Sequence, residues 1–239
     1  MSVAVVIVAA GRGRRLGAET PKQYIPLGPT CALRRVAETF LSISAVRWIV
    51  PVIHPDDRTL CLDALEGLRD ARLLPAVDGA ETRAKSVRCG LEHLVPHGPE
   101  LVLIHDAARP FLPTTVISGV IDALQHGDGA CAALPLVDAL WTSRDGAALA
   151  PVPRDGVWRA QTPQGFSFDK ILKAHRNHDG TAADDVAVAR EAGLGVTFVQ
   201  GTERNYKITT ADDLARATQD AEVLDAKRGG ADANSAKRR

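Results

Sequence analysis

The stretch Val3 to Tyr24, VAVVIVAAGRGRRLGAETPKQY, decides how the rest of the chain is read. Its first part, Val3 to Val8, is an apolar run rich in β-branched residues and far too short for a membrane span. That is the pattern of a strand buried on both faces in a parallel sheet. The run empties into Ala9, Ala10, Gly11, Arg12, Gly13, Arg14 and Arg15. Small residues let the backbone approach a ligand closely, and successive free N–H groups form an anion nest. Arg12, Arg14, Arg15 and, after the loop, Lys22 add positive charge at the same strand end, so the simplest guest is a polyphosphate. A solvated βα turn would carry similar residues, and spacing is the first discriminator. A P-loop needs GxxxxGK[ST], and the chain has no Gly-Lys pair. A Rossmann dinucleotide fingerprint needs GxGxxG, whereas Gly11, Gly13 and Gly17 are one residue too long. No acidic residue ends the second strand at Ile53, His54 and Pro55, so dinucleotide binding is disfavoured.

Working outward, 239 residues suffice for one large domain or two small ones with a substantial core. The 29 Lys plus Arg balance the 29 Asp plus Glu, so no global field favours nucleic acid or an anionic membrane; any anion site must come from local clustering. Four cysteines, Cys31, Cys61, Cys89 and Cys131, lie far apart with no CxxC pair, which suits reduced thiols in a cytoplasmic protein. The N-terminus lacks the basic region of a signal peptide, and no segment approaches the ~20 apolar residues of a membrane helix.

Along the chain, periodicity predicts helices over 33–43, 82–94, 113–125, 169–177, 184–192 and 210–226, the last with Thr210 and Asp213 in capping-box spacing. Asp56 is read as the cap of a further helix reaching Leu68, with Leu60, Leu62 and Leu65 inward. Strands are predicted over 48–53, 73–77, 101–104, 130–136 and 195–200, with a short extended run at 205–209. This alternation indicates an α/β fold: a mostly parallel, Rossmann-like twisted sheet with helices on both faces. Between about 137 and 159 the helical period vanishes, and Asp145-Gly146 and Asp155-Gly156 suggest short strands joined by turns. This is expected to be a protruding β-arm, which either pairs with a second subunit or stands as a surface hairpin. Residues 1–226 are read as one domain. The polar stretch 227–239 is read as a tail or the start of a linker.

Three further stretches repeat the logic of the first. LIHDAARP, Leu103 to Pro110, ends a buried strand with Asp106 and Arg109 at its carboxyl end, the edge where open α/β sheets bind ligands. Asp106 suits Mg²⁺ or its water as a hard oxygen ligand; alternatively it caps a turn and pairs with Arg109. DGAETRAKS, Asp78 to Ser86, follows the third strand. There Gly79 offers backbone to a pyrimidine edge, and Ser86 offers a hydroxyl or merely sits on a helix surface. NYKITT, Asn205 to Thr210, carries Lys207, which on the residues alone is a solvated cation. No HExxH or other paired metal spacing appears among the seven histidines.

AAGRGRRLG followed by PKQY resembles the nucleotide loop of the 2-C-methyl-D-erythritol 4-phosphate cytidylyltransferases (4-diphosphocytidyl-methylerythritol synthases). HDAARP, RDGVWRAQTPQGF (Arg154 to Phe166) and NYKITT follow in that family's order, so the resemblance covers about residues 3 to 220. It implies a nucleotidyltransferase-type sheet, a homodimer joined through the 137–159 arm, and transfer of CMP from CTP to methylerythritol phosphate with release of pyrophosphate. A cytidylyltransferase for another polyol phosphate, such as ribitol 5-phosphate, shares much of the pattern.

By that resemblance Arg15, Lys22, Arg154 and Lys207 are the catalytic cations. CTP meets Ala9, Ala10, Gly11, Gly13, Arg14, Lys22, Gly79, Ser86, Asp106 and Ala107. The polyol phosphate meets Asp106, Arg109, Arg154, Thr162 and Lys207, with Arg154 coming from the partner's arm. Mg²⁺ is carried mainly by the CTP phosphates, near Asp106. Two positions depart from the family pattern: Ala139 and Ala183 stand where threonines are usual, each removing a hydroxyl from the neighbourhood of the polyol site. Some members are fused through a linker to a cyclodiphosphate synthase, and the polar stretch after Ala226 would suit one.

Overall fold

The computed structural model describes residues 1–12 and 20–236, with side chains as far as Lys227. Strand β1 (Val3–Ala9) leads to a small hairpin, β2 (Pro26–Leu27) and β3 (Thr30–Cys31), then α1 (Ala32–Leu41) and β4 (Val46–Ile53). After them come α2 (Arg58–Leu65), β5 (Val77–Asp78), α3 (Arg83–Leu94), β6 (Leu101–Asp106), α4 (Thr114–Ala123) and β7 (Gly129–Pro135). The remainder is β8 (Leu140–Arg144), β9 (Ala147–Val152), β10 (Trp158–Ser167), α5 (Phe168–Asn177), α6 (Asp185–Glu191), β11 (Val196–Gln200) and α7 (Ala211–Ala236).

The main sheet has the order β11-β7-β10-β6-β1-β4-β5. All its pairings are parallel except those of β10, which runs antiparallel between β6 and β7. β1 shows why its run is apolar throughout. Val3, Val5, Ile7 and Ala9 pack with α1, α2 and α4 on one face. Ala4 and Val6 pack with α3, α5 and α6 on the other. A strand between two helical layers has no wet side, so polar and apolar residues do not alternate along it. A third cluster, outside the sheet, joins Leu27 and Ala32 to Phe111, Ile208 and the Ala217/Ala221 face of α7.

β8 and β9 form a separate two-stranded hairpin, as expected of the 137–159 segment. It exposes Val137, Trp141 and Leu149, with Trp141 57% exposed.

Several local expectations are corrected. Asp56 does not cap α2: Pro55–Asp57 form a 3₁₀ turn capped by His54 Nδ1, which accepts from the Asp56 N–H. On α2, Cys61 faces inward, while Leu60 is on the exposed side and Leu62 is 72% exposed. The third strand is only Val77–Asp78, preceded by an isolated Ile49–Leu73 bridge. Residues 205–209 are not a strand: Glu203–Asn205 make a 3₁₀ turn and an irregular strap follows. The backbone of α7 stays helical to Ala236, ten residues past the sequence boundary of 226.

Candidate active site

The carboxyl ends of β1, β4, β5 and β6 open onto one cavity of about 810 Å³. Its walls include Ala9, Ala10 and Gly11 after β1, His54 and Pro55 after β4, Gly79 and Ala80 after β5, and Asp106 and Ala107 at the end of β6. Lys22 and Lys207 approach from two further segments. Of the residues named from sequence, Gly13, Arg14 and Arg15 lie outside the described residues.

Asp106 is the electrostatic centre. Its Oδ2 lies 2.8 Å from Lys207 Nζ and its Oδ1 lies 3.2 Å from Arg83 Nε, with Arg109 Nε at 3.9 Å. Burial pushes the carboxyl up, but Arg83, Lys207 and Arg109 together outweigh it and hold it well below the usual carboxylate range. Arg83 is shared: its Nη1 lies 2.8 Å from Asp185 Oδ2, a fully buried carboxylate that also meets His175 Nε2 at 3.2 Å. Gln164 holds that carboxylate's backbone, its Oε1 accepting from the Asp185 and Val186 N–H groups.

Thr162 and Arg109 sit behind the wall of the cavity. The Thr162 hydroxyl lies 2.9 Å from His105 Nδ1 and accepts from the Asp106 N–H at 3.1 Å. His105 Nε2 faces Arg109 O at 3.1 Å. Burial pushes the His105 imidazole down to about 4. The neutral ring therefore donates to Arg109 O and accepts from Thr162. Arg109 Nη1 donates to Asn205 O at 2.8 Å, and Asn205 Nδ2 donates to Thr162 O at 2.7 Å. These residues fix Asp106 and the strap bearing Lys207. Sequence reading gave no role to Gln164 or Asn205; their signal was the polar residues of TPQ and NYK, set beside buried strands. Arg154 lies on the exposed arm, donating to Val137 O, away from the cavity.

The base of the cavity is built by close approach. Gly79 N donates to Ile53 O at 2.7 Å, and a Cβ at Gly79 would lie 2.6 Å from Ala10 Cβ and 2.8 Å from Ser86 Oγ. Glycine is therefore required where the β1 and β5 loops meet. Ser86 is buried, not on a helix surface. Its hydroxyl accepts from Ala80 N–H at 3.0 Å and reaches Thr82 O at 2.9 Å, shaping the 79–82 loop. Arg12, counted above among the phosphate-facing charges, pairs with Asp56 at 2.6 Å and Asp57 at 2.8 Å. Lys22 Nζ donates to Ile208 O at 2.6 Å, and Gln23 Nε2 donates to Ala9 O at 2.5 Å. The lysine segment is thereby stitched to both the first loop and the 206–209 strap.

Both Asp106 oxygens face cations, and among the described residues no group of three His, Cys, Asp or Glu is placed to hold an ion by protein ligands alone. The arrangement suits anions: two lysines from distant segments line one cavity.

The family model for IspD, 2-C-methyl-D-erythritol 4-phosphate cytidylyltransferase, matches residues 3–221. The chain belongs to this family. A cytidylyltransferase of that name from Cereibacter sphaeroides (strain KD131) is 45% identical over 91% of this chain and 96% of its own length. A bifunctional IspD/IspF enzyme from Rhodobacter capsulatus is 48% identical over 91% of this chain but only 55% of its own length. The crystal structure of the Thermus thermophilus cytidylyltransferase superimposes with a TM-score of 0.74 at 30% identity, covering 93% of this chain and all of that one. An Anaerococcus prevotii synthase gives 0.79 at 28% identity, covering 92% of this chain and 98% of that one. The sheet with its antiparallel β10 is the fold of these cytidylyltransferases.

Proposed function

We propose that the chain transfers CMP from CTP to 2-C-methyl-D-erythritol 4-phosphate, releasing pyrophosphate and forming 4-diphosphocytidyl-2-C-methyl-D-erythritol. Membership of the family supports the reaction. The observation that carries the site is the convergence of Lys22 and Lys207 on one cavity floored by Ala9–Gly11 and Asp106.

The physical problem is repulsion. A phosphomonoester dianion must approach the α-phosphorus of a polyanionic nucleotide, and two unit charges 4 Å apart repel by ~1 kcal/mol in water and ~4 kcal/mol at an effective dielectric of 20. Several such pairs meet at once, so cations must offset them. In our reading Lys22, with Arg15, stabilises charge on the five-coordinate phosphorus and the departing pyrophosphate, while Arg14 binds the nucleotide. Lys207 holds the attacking phosphate in line. An oxygen of that phosphate forms the new P–O bond, the bond to the β-phosphate oxygen breaks, and pyrophosphate leaves with the electron pair. The attacking oxygen is already ionised near neutral pH, so no general base is needed. The loop around Gly79 and Ser86 recognises the base, and Gly13 and Ala107 help enclose the nucleotide. Magnesium enters with the triphosphate as part of the substrate. Thr162 and Arg109 steady Asp106 and the strap. Arg154 completes the polyol-phosphate site from the partner's arm in a homodimer, whose formation would cover the exposed Trp141 and Leu149. Residues 1–226 form the catalytic unit, and the continuation of α7 beyond them would serve as a tail or the start of a linker. We place the enzyme in the cytoplasm, where its four free cysteines would stay reduced.

The test is release of pyrophosphate from CTP and Mg²⁺ with methylerythritol 4-phosphate and, separately, ribitol 5-phosphate. A large preference for the first supports the reading. Turnover only with the second would transfer it to another polyol.

A further inference from the structure

The site's two lysines sit on segments with little regular structure of their own. Lys22 lies in 20–27, of which only β2 is regular, and Lys207 lies in the irregular strap 206–209. Both segments are held under α7. Leu27 and Ile208 pack in one buried cluster with Ala217 and Ala221. Polar bonds add to that apolar contact: Tyr206 Oη donates to Asp220 Oδ2 and the Thr209 N–H to Asp213 Oδ2, each at 2.9 Å, and a further bridge reaches α1. Arg35 on α1, only 6% exposed, donates from Nη2 to Leu27 O at 2.7 Å and meets both Asp225 oxygens, at 3.0 and 2.5 Å.

The turn after Leu27 is shaped for this contact. Gly28 has φ +69°, and a Cβ there would lie 2.7 Å from Asp225 Oδ2 and 3.3 Å from Arg35 Nη2. A side chain at 28 would be strained and would also drive the carboxylate off the guanidinium. The chain then runs back from this turn to Lys22, whose Nζ closes the circuit on Ile208 O at 2.6 Å.

We propose that Asp225 is a positioning residue, setting Lys22 against Lys207 across the cavity through Arg35 and the Leu27–Gly28 turn. Asp225 lies beyond the 3–221 segment matched by the family model. A charge on the last helix thus acts on a site built entirely by earlier segments. A buried guanidinium that lost its carboxylate would no longer be held by both partners, and the Leu27 carbonyl would move with it. Misplacing a catalytic group by about 1 Å costs on the order of 10²-fold in rate.

The inference rests on the cytidylyltransferase reading, so the two must be able to fail separately. The experiment compares the full chain with Asp225→Ala, the charge-free pair Arg35→Met/Asp225→Leu, and Val223→Ala as an exposed control on the same helix. Steady-state kcat and KM for CTP and for the polyol phosphate are measured beside Tm. Amide exchange is followed at Tyr24 and Ile208, whose N–H groups donate to Pro21 O and Ala108 O. The expected result is a roughly tenfold or greater loss of kcat in Asp225→Ala, with KM values within about threefold. Exchange at Tyr24 and Ile208 should quicken. The charge-free pair should regain Tm, because no buried charge is left unpaired, and yet keep the low kcat and fast exchange. Val223→Ala should match wild type throughout. The proposal is overturned if Asp225→Ala keeps wild-type kcat and exchange, or if kcat in the pair returns together with Tm. A wild-type chain without turnover defeats the functional reading instead; the exchange data alone would then decide the role of Asp225.

Discussion

Lys207→Ala is the perturbation whose size can be worked furthest from the structure. The amine lies 2.8 Å from Asp106 Oδ2, and its side chain is 35% exposed. Two losses add. The first is the charge-assisted hydrogen bond to the substrate phosphate, worth about 1.5–3 kcal/mol for a charged group; partial exposure and salt favour the lower half of that range. The second is indirect. Without Lys207, Asp106 keeps Arg83 at 3.2 Å but loses its nearest cation. A bare carboxylate repels a charge ~6 Å away by ~2.8 kcal/mol at an effective dielectric of 20. With Arg83 still in place we take about 1 kcal/mol of that. The sum, about 2.5–3 kcal/mol, corresponds to roughly a 10²-fold rise in KM for the polyol phosphate. The assay is steady-state pyrophosphate release at saturating CTP. Adding Asp106→Asn to Lys207→Ala removes the uncompensated charge and should recover about fivefold of the lost affinity. A KM within threefold of wild type, with kcat intact, would refute the placement of Lys207. A double variant no better than the single would refute the electrostatic part.

Other expectations follow from the same geometry. Lys22→Ala should lower kcat by ~10²-fold or more, the usual cost of one lost transition-state donor; near-normal turnover would remove it from the mechanism. Gly79→Ala forces a methyl against Ala10 and Ser86, an overpacking of about 1–3 kcal/mol, and should raise KM for CTP by about tenfold. Unchanged CTP kinetics would show that the two loops separate freely. Asp106 and Asp185 both titrate below the ordinary range: burial raises each, but Arg83 and its neighbours lower them further. A depressed folded pKa means that their stabilisation is complete above the unfolded value, near 4, and is lost as pH falls below it. Tm should therefore be level from about pH 5 to 7 and drop below about pH 4. Level stability down to about pH 2 would contradict the pairing.

β1 and β6 were legible because a strand between two helical layers must be apolar at every position, and such a run is hard to mistake. The loops at their carboxyl ends were legible for the opposite reason: clustered glycine and arginine break the apolar run that a strand between two helical layers requires. β10 was not legible. No strand is expected over Gln161, Thr162, Pro163, Gln164 and Gly165, yet they run through the middle of the sheet, with a shift of register between Ala160 and Gln164. They can be buried because each polar side chain is spoken for inside the protein. Gln161 bonds Thr202 O, Thr162 bonds His105, and Gln164 bonds the start of α6. Composition cannot reveal such pairings, since the partners lie 20 to 57 residues away in sequence. The strap at 205–209 was misread for a related reason. Ile208 is apolar because it packs beneath α7, not because it belongs to a strand. Lys207, an ordinary surface cation by its local sequence, acquires meaning only from Asp106, which lies 101 residues earlier.

A crystal structure of the full chain with the diphosphate product, 4-diphosphocytidyl-methylerythritol, tests the convergence of cations most directly. The diphosphate is expected inside the cavity between Gly11 and Asp106, within hydrogen-bonding reach of Lys22 Nζ on one side and Lys207 Nζ on the other. A diphosphate bound elsewhere, or one meeting neither lysine, would contradict that convergence.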